Sequence, residues 1–378
     1  MQRPIVALDI GSTKVACAVG LPHGQTPGFE LLGSSLITYP WLAESWLSDP
    51  LMVGRTIEQA LEATAVAGDF HRALVIMSHP LLASEQIRAS VRIGDEPIAV
   101  RQQDLDRLTA RALDQALSID REPLVIERLH CSGNGFDAVR DPLGRPATRL
   151  MGSFHIVTMP MAARRAIVQA VESAGLEVMQ LGFSLSAIAA ALASEFSQRQ
   201  RLLLVDIGGL NTDAGLFVDG QLWNAKTVRW GGLSFALEIA STLSTTVEQA
   251  VTMSLQGLTS RKPEVRQLLE RELIPLQKAI EQLLKGEPLP DAVLATGRGA
   301  LIDGLVEWLE RTTTIKAELA RTPRAQGIGD MARQIALTPV AGLLDLATRT
   351  PPRGPLTLSA RFVDRLVNRT RLVLTEYF

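Results

Sequence analysis

The feature that most constrains this chain is a phrase that occurs twice. Ile5-Val-Ala-Leu-Asp9-Ile-Gly11-Ser12-Thr13-Lys14-Val15 is an apolar run ending in an acid, then Ile-Gly, a polar turn and a second apolar run. Leu202-Leu-Leu-Val-Asp206-Ile-Gly208-Gly209-Leu210-Asn211-Thr212-Asp213 repeats it 197 residues later and continues through Asp219-Gly220, a tight-hairpin dipeptide. Short apolar runs bounded by Gly and polar residues read as buried strands. The spacing is too long for a solenoid repeat and suits a duplicated α/β domain. A chain of 378 residues is long enough for two such halves, each with its own core.

Between the repeats, Ala73–Met77, Ile87–Ile93, Leu124–Leu129 and Gly152–Thr158 have the pattern of strands, and Gln102–Leu117 that of a helix. Residues 80–160 therefore read as a strand-helix-strand insert, with Asp141-Pro-Leu-Gly144 as a turn. Residues 1–79 begin the first half, and 161–200 return to it through helices at Ala162–Ala174 and Ala187–Phe196, the earlier one stopped by Gly175. The second half spans 201–350. Its pattern predicts one long amphipathic helix over Val265–Lys285, kinked at Pro275, and further helices at Ala300–Leu309 and Val340–Ala347. Pro351-Pro-Arg-Gly-Pro355 makes 351–357 a stiff linker. In 358–378 Phe362, Val363, Leu366, Val367 and Phe378 fall on one arc of a helical wheel, Arg361 and Arg365 lie outside it, and Arg369 sits on its edge. An apolar face with a basic flank is suited to an anionic membrane surface.

A glycine turn between two strands can cradle phosphate on backbone N–H groups while a nearby carboxylate holds Mg²⁺ through water. Asp9 and Asp206 are the candidate acids. Gly11, Ser12, Thr13 and Lys14 offer hydroxyls and an ammonium, and Gly208 and Gly209 offer bare backbone. Thr296-Gly297-Arg298-Gly299-Ala300 is a strand, a glycine turn and a helix start, where a nucleoside can lie against backbone. Neither GxGxxG nor GxxxxGK occurs at these places. The five histidines lack metal-site spacing, and Ser184 and Ser186 form no GxSxG elbow.

Composition narrows the partners. Thirty-eight basic against 40 acidic side chains give a net charge of −2, which lends no global support to nucleic-acid binding. Two unpaired cysteines, Cys17 and Cys131, fit a reducing cytoplasm, and no apolar stretch approaches the ~18 residues that span a bilayer.

In order and content these motifs resemble the actin-like ATPase superfamily, and the insert resembles its FtsA branch of bacterial cell-division proteins. The resemblance covers nearly the whole chain, including Ala166-Ile-Val-Gln-Ala-Val-Glu-Ser-Ala-Gly and Thr338-Pro-Val-Ala-Gly-Leu-Leu344. It implies a duplicated ribonuclease-H-type α/β fold carrying an FtsA-type inserted subdomain. It also implies ATP and Mg²⁺ between the halves, Glu248 at the ribose, and Gly297, Arg298 and Gly299 at the adenosine. Asp213 matches an actin-type catalytic side chain, with nucleotide binding expected ahead of efficient turnover. Implied partners are FtsZ, further copies of the chain in a filament, other divisome proteins, and an anionic lipid membrane met by Arg361, Phe362, Arg365, Leu366 and Arg369. Implied localisation is the inner face of the cytoplasmic membrane at the division site.

The chain also departs from the family pattern. Leu210 and Asn211 stand where a third glycine and Thr are common, Val251 replaces a Lys three residues after the ribose acid, and Arg298 replaces a glycine. A Leu at the second loop crowds the phosphates. A PilM-type pilus-assembly scaffold on the same fold, a degenerate scaffold without nucleotide, and a small-molecule kinase of the superfamily are the alternative readings.

Overall fold

The computed structural model describes residues 3–23, 28–39, 48–325 and 328–349. The expected linker 351–357 and membrane helix 358–378 lie outside these residues. The first half starts with β1 (Ile5–Ile10), β2 (Lys14–Pro22), β3 (Phe29–Thr38), α1 (Pro50–Glu62) and β4 (Arg72–Met77). Asp49 starts α1 by accepting the Met52 N–H at 2.9 Å, with Pro50 already holding a helical φ. The insert follows as β5 (Ala83–Arg92), β6 (Ile98–Ala99), α2 (Gln102–Ala116), β7 (Arg121–Gly133), β8 (Phe136–Val139), β9 (Pro146–Ala147) and β10 (Arg149–Pro160). Then come α3 (Met161–Ser173), β11 (Glu177–Phe183), α4 (Ser184–Ala191) and α5 (Ala193–Gln198).

The second half opens with β12 (Arg201–Ile207), β13 (Thr212–Val218) and β14 (Gln221–Val228). Five helices follow: α6 (Gly232–Leu243), α7 (Val247–Leu255), α8 (Leu258–Arg261), α9 (Pro263–Glu272) and α10 (Ile274–Leu284). β15 (Ala292–Thr296), α11 (Leu305–Thr313), β16 (Ala317–Leu319), α12 (Met331–Ala336) and α13 (Thr338–Arg349) complete the described chain.

The duplication is explicit in the topology. One sheet runs β3-β2-β1-β4-β11 and the other β14-β13-β12-β15-β16. In each, three antiparallel strands lead into two parallel ones. The turn at Asp219-Gly220 has positive φ at both residues, as a two-residue hairpin requires. The insert is a separate antiparallel sheet, β5-β10-β7-β8, with α2 burying Leu105, Leu108 and Ala112 against Phe154 and Ile156.

Helices cover the sheets. α1 and α3 pack on one face of the first sheet, and α13 packs on the other through Val340, Leu343 and Leu344. α4 lies between the halves, giving Ala187 to the first core and Leu185 and Ile188 to a core with Leu202, Leu204 and Phe217 of the second. α13, placed by sequence in the second half, thus belongs by packing to the first.

Three helix expectations are corrected: first, the helix expected over 187–196 is two, α4 and α5, broken at Leu192. The single helix over 265–285 is two, α9 and α10, because Pro275 starts a new helix where a kink was expected. The helix expected over 300–309 is a 3₁₀ turn at Arg298–Leu301 followed by α11, with Gly304 at φ +83° between them. Among the described residues no helix is long and apolar enough to cross a membrane.

Candidate functional site

The two repeated strand-turn-strand units face each other across a cleft of about 340 Å³. Its lining includes Asp9, Gly11, Ser12, Thr13 and Lys14 from the first half and Asp206, Gly208, Gly209 and Leu210 from the second. Gly297, Arg298 and Gly299 join them at the end of β15. All three glycine turns named from the sequence therefore converge.

The halves touch here directly. The Leu210 N–H donates to Ser12 Oγ at 3.0 Å, and a Cβ on Gly209 would collide with the Thr13 side chain, so only glycine allows that approach. Gly297 sits at φ +78° with its Cα against the Ile207 carbonyl and the Asp206 carboxylate, which leaves no room for a side chain. The N-terminus of α6 closes on the second loop through Gly232 N–H to Gly208 O at 2.9 Å and Leu233 N–H to Gly209 O at 2.8 Å. Tyr39 braces the first loop, donating its hydroxyl to Gly11 O at 3.1 Å and its N–H to Thr13 O at 3.0 Å.

Three carboxylates and one ammonium set the electrostatics. Lys14 Nζ pairs with Asp9 at 3.3 Å. Asp206 and Asp213 are directly opposite across β12 and β13, so their side chains share one face of the sheet. Burial first, then Asp213 and Asp9, push the Asp206 carboxyl up to about 8, with Lys14 pulling weakly the other way. Asp213 is 1% exposed, and burial raises its carboxyl to about 6 against the hydrogen bonds of Ser78 and Thr227; the Thr227 hydroxyl donates to Oδ1 at 2.5 Å. Its other oxygen, Oδ2, has no hydrogen bond of good geometry.

This donor set fits a divalent cation. Of the two cations that line the cleft among the described residues, Lys14 is paired with Asp9 and only Lys14 acts on the Asp206 carboxyl, and burial penalises each uncompensated charge. Among the described residues no group of three or more acidic, His or Cys side chains is placed to ligate a metal directly.

Glu248 is placed differently from the rest. It lies in the first turn of α7, which Thr246 caps by accepting the Gln249 N–H at 3.3 Å. The Glu248 carboxyl is exposed and held below the usual range by its own backbone N–H and Thr246. α7 lines the cleft with Val251, Ser254 and Leu255. Glu248, one turn before Val251, is not among the residues that line the cleft, so of the predicted site residues it is one the structure does not bring there. Sequence reasoning missed Tyr39, Ser78, Thr227 and the Gly231-Gly232 start of α6. Only the paired glycine before a helical pattern was a readable signal; the others arrive through long-range packing.

The two sheets, the cleft between them and the insert define an actin-like fold. Residues 81–158 match the family profile described as the SHS2 domain inserted in FTSA. Over 400 aligned residues the chain is 22% identical to cell division protein FtsA of Escherichia coli strain K12, covering 95% of this chain and 94% of that one. Among solved structures it is similar to the PilM-PilN type IV pilus biogenesis complex, with a TM-score of 0.70 at 14% identity over 93% of this chain and 100% of that one. It is also similar to MreB5 of Spiroplasma citri bound to ADP, with a TM-score of 0.52 at 12% identity over 92% and 97%. The resemblance to FtsA thus holds along nearly the full chain and is most specific in the insert.

Proposed function

We propose that this protein is an FtsA-like cell-division protein. On this reading it binds ATP with Mg²⁺ between its halves, self-associates into filaments, and tethers the FtsZ ring to the inner face of the cytoplasmic membrane alongside other divisome proteins. The carrying observation is the convergence of three glycine turns from both halves on one acidic cleft, in a chain whose insert matches the FtsA type.

Gly11, Ser12, Thr13, Lys14, Gly208 and Gly209 line the phosphates, Asp9 and Asp206 hold the metal through water, and Gly297, Arg298 and Gly299 flank the nucleoside. The metal supplies the positive charge that the three carboxylates and the phosphates lack. Ser12 Oγ holds the Leu210 N–H, and phosphate binding exchanges that bond for one to the ligand. The exchange resets the angle between the halves and with it the polymerising surface. Asp213, whose carboxyl burial raises to about 6 and Thr227 holds, is the group able to orient water or accept its proton. Arg361, Phe362, Arg365, Leu366 and Arg369 lie on anionic lipid.

Calorimetry with Mg·ATP tests the cleft. Micromolar binding that disappears in Asp206→Ala supports the reading, and no binding in the wild type reduces the protein to a scaffold without nucleotide. The similarity to PilM-PilN favours one other reading, a scaffold that grips a short cytoplasmic peptide of a membrane protein. Flotation with vesicles of phosphatidylglycerol separates them: binding lost on deleting 356–378 supports the tether, and no lipid binding supports the peptide scaffold.

A further inference from the structure

We propose that a second cavity, on the seam between the insert and the second half, binds a small monocarboxylate with a hydrocarbon body, its carboxylate paired with Lys226. The site is separate from the cleft and does not depend on the nucleotide reading.

β5 and β14 are each the edge strand of their own sheet. Ser84 Oγ accepts the Ala225 N–H at 3.2 Å, and Gln86 Nε2 donates to Trp223 O at 2.9 Å. The two edges therefore run antiparallel side by side, 84 beside 225 and 86 beside 223, joined by side chains where a continuous sheet would have a backbone ladder. Continuing that register sets 83 beside 226 and 82 beside 227, and there the seam opens into a cavity of about 230 Å³. Leu82, Ala83, Val157, Phe183 and Ala225 give it an apolar wall, of which Val157, Phe183 and Ala225 are each 1% exposed. Ser84 Oγ meets the Ala225 N–H and His155 Nε2, and the Thr227 hydroxyl donates to Asp213. Lys226 is the one charged side chain among the lining residues, and among the described residues it has no ion pair or side-chain hydrogen bond.

An ammonium beside an apolar wall suits a ligand with one full negative charge at one end and hydrocarbon elsewhere. A carboxylate presents both of its oxygens at that end, and its body takes the wall out of water. Phosphate fits poorly, because its oxygens surround the phosphorus and those turned to Leu82, Val157 and Phe183 lose hydration without gaining a partner. A neutral alcohol covers the wall but leaves Lys226 without a counter-charge. The volume suits a ligand of about ten non-hydrogen atoms, such as phenylacetate.

The test is a ligand-observed NMR titration of the full chain with phenylacetate and with its neutral counterpart 2-phenylethanol, for wild type, Lys226→Met and Ala83→Phe, with thermal melting as the check on folding. Lys226→Met keeps a long unbranched side chain and removes the charge, and Ala83→Phe fills the cavity. The expected Kd for phenylacetate is about 1 mM or tighter. It should be at least about tenfold tighter than that of the alcohol, with the advantage lost in Lys226→Met. Binding should be abolished in Ala83→Phe and unchanged when Mg·ATP is added. No saturable binding below about 10 mM, equal affinity for acid and alcohol, or an advantage that survives Lys226→Met overturns the inference. Displacement by Mg·ATP also overturns it, because the ligand would then sit in the cleft. If Ala83→Phe does not fold, the Lys226→Met comparison decides alone.

Discussion

In the cleft the halves touch through Ser12 and Leu210 and through Thr13 against Gly209, beside three carboxylates and a single ammonium. Along the insert they touch differently. Ser84 Oγ accepts the Ala225 N–H at 3.2 Å and contacts His155 Nε2 at 2.7 Å. Gln86 donates to Trp223 O at 2.9 Å, and His130 stacks on the Trp223 ring with centroids 5.9 Å apart. The cleft contact sits beside buried carboxylates, two of them pushed up by burial. The insert contact rests mainly on neutral groups, with one ion pair, Arg140–Asp219, and with His155 Nδ1 left without a hydrogen bond. β14 belongs to both: Thr227 grips Asp213 and Ala225 grips Ser84.

The largest expected effect breaks the insert contact. His155 is fully buried, and burial lowers its imidazole to about 4, with only the Leu222 backbone opposing. Glu127 is its cross-strand neighbour and is itself raised by burial. A histidine lowered on folding leaves stability intact above its unfolded value near 6.5 and removes it as pH falls toward 4. His155→Gln should abolish that acid limb, so urea midpoints of wild type and variant should diverge below pH 6.5 by up to about 3 kcal/mol at pH 4. Parallel curves would assign the acid sensitivity elsewhere.

Next comes the loop approach. Gly209→Val forces its side chain into Thr13 and should cost about 2 kcal/mol of stability while weakening Mg·ATP about 100-fold. Unchanged affinity would mean that the phosphates do not use this approach.

The third effect has the opposite sign. Asp206 is raised on folding, so its penalty is absent below its unfolded value near 4 and grows as pH rises toward 8. In metal-free buffer at pH 8 Asp206→Asn should therefore be more stable than wild type, by about 2 kcal/mol because cleft water screens the carboxyl, and equal to it near pH 4. The same variant should lose Mg²⁺-dependent nucleotide binding.

The smallest effect sharpens the contrast. Arg140 and Asp219 form an ion pair of 2.8 Å between insert and hairpin, both about half exposed. Arg140→Ala should cost under about 0.5 kcal/mol in denaturant melts. A larger loss would show that the insert is held by charge after all.

Much of this was readable in the chain. The repeated phrase predicted both hairpins, the three glycine turns and the acids at their strand ends, because strand period and turn chemistry are local. The break at Pro275 was readable as a disturbance but misread as a kink, since a proline in a helix's first turn is favourable and nothing local says which turn it occupies. Glu248 was read from the family resemblance, yet it is Val251, Ser254 and Leu255 of α7 that line the cleft.

By itself the sequence determined the duplicated halves, the insert and the residue types of the glycine turns, all of which follow from patterns within about a dozen residues. Tertiary structure alone decided that α13 returns to the first sheet, that Tyr39 braces the first turn, and that β14 joins cleft to insert. Each of these depends on which apolar face packs against which across long chain separations, and on charges brought together by that packing.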